Sequence, residues 1–224
     1  MEMRIIILSS HPDDEALGCG GTLLKHHANG DELYWVIVTT AFENQNYSKK
    51  WITSRQREIE EVKKKAGFIK VFKLDYPTAT LDSGSLKTLV PALAKIFSDV
   101  SPEIIYLPNR SDAHSDHRIT FEAAMACAKS FRLPSLKKIL MYECISETEF
   151  APPLTENIFV PNYFTDISEF MEKKIELAKI YKSELGEHPF PRSIENIRAL
   201  ATFRGAMAGV KYAEAFQVVK IIDK

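Results

Sequence analysis

Long apolar runs, cysteines and net charge are all scarce in this chain, and each shortage removes a class of protein. The apolar stretch near the start, Ile5-Ile6-Ile7-Leu8, is too short for a signal-peptide core or a membrane span. Nothing further along approaches the length of a membrane helix, so no membrane span is expected. Three cysteines, Cys19, Cys127 and Cys144, are an odd number without metal-binding spacing. They argue for free, mostly buried thiols in a reducing compartment, and the cytoplasm is the expected location. A formal net charge of −1 leaves no electrostatic footprint for nucleic acid or an anionic lipid surface. Repeats, low-complexity tracts and linkers are missing too, so a single domain over residues 1–224 is expected. What remains is an ordinary globular composition, 45% hydrophobic and 26% charged, long enough to bury a core without staples.

Periodicity then alternates between strand and helix. A buried strand over Arg4–Leu8 is followed by a helix through Ala16–Lys25, with Asp14 and Glu15 in its first turn. The turn Asn29-Gly30-Asp31 leads to a strand at Glu32–Thr39, a polar loop at 40–50, and a charge-rich helix from Thr53 to Ala66 ended by Gly67. A strand at Lys70–Leu74 precedes a helix from Leu86 to Phe97, in which Pro91 predicts either a first turn or a kink. Further strands are predicted at Glu103–Leu107 and Lys138–Glu143, separated by a helix at Ile119–Phe131. The last third reads as irregular chain, a long helix over Ser168–Leu185, a proline-rich loop at Glu187–Arg192, a helix at Ile194–Met207 and a closing strand at Phe216–Ile221. This rhythm predicts an α/β, Rossmann-like fold with a mostly parallel sheet covered by helices on both faces.

Two stretches carry chemistry: His11-Pro12-Asp13-Asp14-Glu15 after the first strand, and His114-Ser115-Asp116-His117 after the fourth. In doubly wound sheets of order 3-2-1-4-5, strands 1 and 4 are neighbours, and ligands sit at their carboxyl ends. The spacing therefore predicts one crevice containing His11, Asp13, Asp14, His114, Asp116 and His117. Two neutral imidazoles and a carboxylate suit a catalytic divalent metal with open positions. A second carboxylate can serve as general base, and a further histidine can steady an oxyanion or protonate a leaving amine. Together these parts point to metal-assisted hydrolysis without choosing a substrate.

With these motifs the chain resembles the PIG-L/LmbE family of zinc-dependent N-deacetylases, over essentially its whole length. Arg55-Gln56-Arg57-Glu58 resembles the family's Arg-x-x-Glu element, and Ala213-Glu214-Ala215-Phe216 its Ala-Glu-x-Phe ending. The resemblance implies His11, Asp14 and His117 as metal ligands and Asp13 as general base. It implies His114 as the oxyanion or proton-delivering group, Asp116 as the residue tuning it, and Arg55 as a substrate holder. It further implies an N-acetylglucosamine-type amino-sugar conjugate as small-molecule substrate and Zn2+ as cofactor, a shell that Fe2+ also suits. Some relatives form trimers or hexamers, so a homo-oligomer is compatible with it. One departure is the run Asn109-Arg110-Ser111-Asp112-Ala113, which lacks the tyrosine that some members place before the second motif.

Structural roles compete at each position. Asp14 could complement a helix dipole, His114 could cap the next helix, and Arg55 could pair along its charged helix. Glu15 reads best as a structural anchor. His26 and His27 fall at a helix C-terminus, where solvent or the dipole accounts for them. His188 and Glu214 are possible pocket residues. The cluster Gly18, Gly20, Gly21 lacks the full dinucleotide fingerprint and reads as close packing. An esterase or phosphohydrolase on the same site, or a non-catalytic ligand-binding protein, are the alternatives.

Overall fold

In the computed structural model, which describes residues 2–224, the early apolar run is strand β1 (Arg4–Ser9), and its side chains alternate between two cores. Ile5 and Ile7 enter one core and Ile6 and Leu8 the other, as the two-residue period of a strand buried on both faces requires. Strand β2 (Glu32–Thr40) repeats the pattern, with Trp35 and Ile37 on the first side and Val36 and Val38 on the second. Helices α1 (Asp14–Ala28), α2 (Lys49–Ala66), α5 (Met171–Ala178) and α6 (Ile194–Ala208) close the first core. Helices α3 (Leu86–Val100) and α4 (Ser115–Cys127) close the second.

Strands β3 (Phe68–Pro77), β4 (Ile104–Pro108) and β5 (Lys138–Tyr142) join β1 and β2 in a parallel set. Strand β7 (Ala213–Ile221) pairs antiparallel with β5, and β6 (Tyr163–Asp166) antiparallel with β7. The order is β3-β2-β1-β4-β5-β7-β6. The expected mostly parallel, Rossmann-like α/β sheet is therefore present, and β1 lies beside β4. Winding reverses between them, so the loops after both strands open into the same crevice.

Some boundaries differ from the sequence expectations, for physical reasons. Helix α4 starts at Ser115 rather than Ile119, because the His114 side chain accepts the Asp116 N–H at 3.1 Å and caps it. It also ends at Cys127, and Phe131, expected inside it, is 75% exposed. The long helix predicted over Ser168–Leu185 is confined to Met171–Ala178. Beyond Ala178 the chain tightens into turns, with Tyr181 N–H on Ala178 O and Glu184 N–H on Tyr181 O, which direct Tyr181 and Glu184 towards the loop after β1. Helix α3 runs through Pro91, which lies beyond its first turn; Pro91 and Lys87 are exposed, so water can serve the carbonyl that the proline leaves free. Strand β6 was unforeseen: with only four residues, Tyr-Phe-Thr-Asp, it carries too little pattern to be read.

Helix α1 is broken at Cys19 (φ −144°, ψ 23°). Lys174 Nζ donates to Leu17 O at 2.7 Å on one side of the break. On the other, Glu214 accepts the N–H groups of Gly21 and Thr22 at 2.9 and 2.7 Å, and it pairs with Lys174 at 2.6 Å. The Ala-Glu-x-Phe element is thus a clamp on the helix that carries the first motif. Gly18 lies so close to Tyr142 of β5 that a Cβ there would sit 2.3 Å from the ring, which is the close packing expected of the glycine cluster.

Candidate metal centre

The first motif turns sharply out of β1. Asp13 has φ 142° and ψ −26°, a conformation rare for a side-chain-bearing residue. Its neighbours hold it there: Asp13 N–H donates to Glu15 Oε2 at 3.1 Å, and Asp13 O accepts Ala16 N–H and Leu17 N–H, both at 3.0 Å. Glu15 is the anchor that its sequence position suggested. It accepts Tyr181 Oη–H at 2.6 Å and Ser9 Oγ–H at 3.4 Å, and burial pushes its carboxyl up to about 7 despite the Tyr181 hydrogen bond.

The second motif opens α4 across the crevice, and three imidazoles meet. Ring centroids lie 4.5 Å apart for His11 and His114, 5.4 Å for His11 and His117, and 5.8 Å for His114 and His117. Asp14 is buried between the motifs. Its Oδ2 accepts His11 N–H at 2.9 Å, and its Oδ1 lies 3.3 Å from His117 Nε2. Burial alone would raise the Asp14 carboxyl, but His117 and His11 outweigh it and hold it below the usual range. On His117, burial opposes protonation, yet Asp14 and Asp112 push it well above the ordinary histidine value.

His117 provides the test for a metal. Its Nδ1 sits 2.8 Å from Asp112 Oδ2, while its buried Nε2 has no hydrogen-bond partner among the described residues. One ligand atom each from His11, Asp14 and His117 falls within a 4.8 Å cluster. A carboxylate holding the far nitrogen of an imidazole whose near nitrogen is unpartnered is the arrangement of a metal-binding histidine. The donor set therefore fits a divalent cation. His11, His114 and Asp116 form an equally tight group, but Asp116 already accepts Ala79 N–H at 2.7 Å, Leu81 N–H at 3.0 Å and His11 Nε2 at 3.0 Å.

The Asp116 carboxylate contacts His11 at 3.0 Å and lies 4.0 Å from His114, so it orients a candidate ligand and its charge also favours protonation of His114. Its backbone reaches His114 too: that N–H donates to His114 Nδ1, which leaves the proton of the neutral ring on Nε2. Burial, with His11 beside it, lowers His114 to about 4. Arg55 lines the cavity and also reaches the first motif. Its Nη groups donate to Pro12 O at 2.8 Å, to Ser183 Oγ at 3.1 Å and to Glu184. Trp51 and Tyr181 pack against its guanidinium at 4.8 and 5.2 Å. Arg55 lines the cavity while its Nη donors brace the first motif.

The cavity over these residues measures about 440 Å³, and Tyr47, Trp51, Lys73, Glu147, Glu184 and Arg192 extend its wall. Asp13 faces it with a carboxylate that no described residue hydrogen-bonds; Arg192 Nη1 is 3.6 Å away. Burial, then Asp14 and Glu184, push the Asp13 carboxyl well up, against the pull of Arg192 and Arg55. Sequence reasoning missed Asp112, Glu184 and Arg192. Asp112 had a signal, standing five residues before His117 on the same loop; Glu184 and Arg192 had none beyond their charge. His188 is exposed and lies outside the cavity wall, and Glu214 belongs to the clamp on α1.

A family model described as PIG-L, GlcNAc-PI de-N-acetylase, matches residues 6–128, a span that contains both motifs. A diacetylchitobiose deacetylase of Thermococcus kodakarensis is 23% identical over 225 residues, covering 96% of this chain and 83% of that one. The N,N′-diacetylchitobiose deacetylase of Pyrococcus horikoshii, solved with its inhibitor, has a TM-score of 0.75 at 24% identity, over 97% of this chain and 84% of that one. GalB of Pseudomonas putida, a 4-carboxy-2-hydroxymuconate hydratase, has a TM-score of 0.73 at 20% identity, over 100% and 98% of the two chains. Likeness at these identities speaks for the fold, on which more than one reaction is run.

Proposed function

The chain belongs to the PIG-L family, and we propose that it is a metal-dependent N-deacetylase acting on an N-acetylglucosamine conjugate. The observation that carries this reading is the unpartnered Nε2 of buried His117, facing Asp14 and grouped with His11, beside an Asp13 carboxylate free of hydrogen bonds. His11, Asp14 and His117 would hold the cation. Two imidazoles and a carboxylate support zinc and are compatible with iron(II). Bound there, a divalent cation lowers the pKa of a water and polarises the acetamide carbonyl.

The chain's own residues supply the rest. Asp13, made more basic by its burial, takes a proton from the attacking water as the new C–O bond forms. His114, neutral with its proton on Nε2, donates a hydrogen bond to the charge developing on the carbonyl oxygen. When the C–N bond breaks, the proton held by Asp13 passes to the departing amine, and acetate is released. Asp112 and Asp116 fix the rings of His117 and His11. Arg55 acts through Pro12, keeping the first motif in place. One continuous sheet supports reading residues 1–224 as one domain. No helix among the described residues is long and apolar enough to cross a membrane, and three buried free cysteines support a reducing compartment.

Metal content by elemental analysis, wild type beside the double variant His11→Ala, His117→Ala, tests the site. One divalent ion per chain, lost in the double variant, is expected. Acetate release from N-acetylglucosamine and N,N′-diacetylchitobiose, against phosphate release from a phosphomonoester, tests the reaction. No metal after zinc or ferrous reconstitution removes the mechanism, and phosphate release without acetate replaces it with a phosphohydrolase.

A further inference from the structure

Three cationic side chains line the catalytic cavity: Arg55, Lys73 and Arg192. The Nη groups of Arg55 are hydrogen-bonded to Pro12, Ser183 and Glu184, and among the described residues Lys73 Nζ reaches only the Gln56 side chain, at 3.4 Å. Arg192 differs from both. Its side chain is 22% exposed, yet it makes no hydrogen bond with any described residue. Nη2 lies 3.3 Å from Glu184 Oε2 and Nη1 lies 3.6 Å from Asp13 Oδ2. Nε is buried without a hydrogen-bond partner in Arg192 and Arg55 alike, so the difference lies in the Nη donors, which Arg55 fills and Arg192 does not. A guanidinium placed purely to hold the fold would have its Nη donors filled, because an unsatisfied buried donor costs about 1–3 kcal/mol.

The other half of the pair is equally open. Asp13 is 5% exposed, its backbone is fixed by Glu15, Ala16 and Leu17, and its carboxylate has no hydrogen-bond donor among the described residues. Among described cations, Arg192 forms the one ion pair with that carboxylate. We propose that Arg192 is a positioning residue of the reaction: through Nη1 it holds Oδ2 of Asp13, so that the other carboxylate oxygen is presented to the attacking water. Glu184 anchors Arg192 in turn, and it also pairs with Arg55 on the first motif, so the proline-rich loop at 187–193 and the turn after α5 together set the angle of the base. The separation is 3.6 Å here, and the proposal requires it to shorten to hydrogen-bond length in the substrate complex, as catalytic contacts commonly do. This rests on Asp13 being the general base.

The test is a double-mutant cycle on the metal-loaded full chain, measuring acetate release from N,N′-diacetylchitobiose for wild type, Arg192→Ala, Asp13→Asn and the pair. Arg192→Ala is expected to lower kcat on the order of 100-fold with KM little changed, since a misplaced base loses rate and not binding. In the Asp13→Asn background the same change is expected to cost nothing further. Added guanidinium restores kcat to Arg192→Ala and not to Asp13→Asn, and metal content is the same in all four proteins. Arg198→Ala, at a half-buried arginine paired with Glu172 outside the cavity wall, serves as the unaffected control. Should Arg192→Ala fail to fold, Arg192→Lys keeps stem and charge without the fork, and a smaller but equally non-additive loss is expected. A rise in KM at constant kcat makes Arg192 a substrate grip and overturns the proposal; so does a loss that adds to that of Asp13→Asn. A wild type that releases no acetate from any N-acetylglucosamine conjugate removes the deacetylase reading itself, whereas an active wild type with an unaffected Arg192→Ala removes only this proposal.

Discussion

Helix α1 crosses buried charge at its first turn and again at its break around Cys19, and the two clusters are finished in opposite ways. At the break, Lys174 donates to Leu17 O and Glu214, and both oxygens of Glu214 also accept backbone N–H groups. At the first turn, Asp13 has no donor, His117 Nε2 has no partner and Arg192 makes no hydrogen bond among the described residues. At the break the one open buried atom is the neutral Thr22 Oγ1, and both charged groups are paired. A buried polar atom left open costs stability, on the order of 1–3 kcal/mol. Charged groups left open beside a cavity are held for something that arrives from outside, whereas charges that fill each other hold the chain together. Read as residue types alone, a lysine and a glutamate look no more structural than an arginine and an aspartate.

The largest expected effect lies at the open cluster. Asp13→Asn should lower deacetylation by about 10²–10⁴-fold, the range for a lost general base, while metal content and thermal midpoint stay at or above wild type. A large fall in the midpoint would show that the first-turn charges support the fold after all. Next in size is the filled cluster. Lys174→Met strands the Glu214 carboxylate, and breaking a buried pair from one side costs about 3–5 kcal/mol. Urea unfolding should show that loss; adding Glu214→Gln should recover part of it, and kcat of the folded fraction should stay near wild type. A kcat defect without a stability defect would reverse the assignment. Smaller again is Asp112→Ala, which frees His117 Nδ1. A metal affinity weakened about 10–100-fold, read by competition with a chelator, is expected for a lost ligand-orienting partner; unchanged affinity would separate His117 from the metal.

Much of this was legible in the sequence because it followed from periodicity and strand order. Apolar runs bounded by turn residues gave the central strands, and the neighbouring of β1 and β4 brought His11 and His117 together. What stayed hidden depends on tertiary partners. Helix α4 begins earlier than its apolar pattern because a catalytic-looking histidine doubles as its cap. Helix α5 is cut short because Tyr181 and Glu184 are drawn to Glu15 and Arg55, a constraint from residues far away in the chain. The Asp116 carboxylate reaches His11 as well as His114, a contact that only the fold across β1 and β4 creates. The family resemblance named the motif residues, but it said nothing of Arg192, whose place is set by a loop without any periodic signal.

The last turn of α1 holds a third polar contact, and it tests whether filled clusters are silent. The helix-end reading of His26 missed its partners: Nδ1 lies 2.6 Å from Asp31 Oδ2 and Nε2 lies 2.9 Å from Tyr106 Oη, so both ring nitrogens are filled. Burial lowers the His26 pKa, and Lys138 and Lys25 lower it further, while Asp31 pulls the other way without restoring it. In the unfolded chain this histidine titrates near ~6.5. Below that pH the unfolded state binds the proton more readily than the folded one, so the stability contributed by neutral His26 is present above ~6.5 and is lost as the pH falls towards the lower folded value. His26→Gln removes the titration and keeps a polar side chain. Urea unfolding across pH 5 to 7.5, wild type against His26→Gln, should therefore show a flatter fall in stability on the acid side for the variant, an effect smaller than that of Lys174→Met. Parallel curves would mean that Asp31 compensates the burial in full, and that a filled polar cluster on this helix is insensitive to protons as well as to ligands.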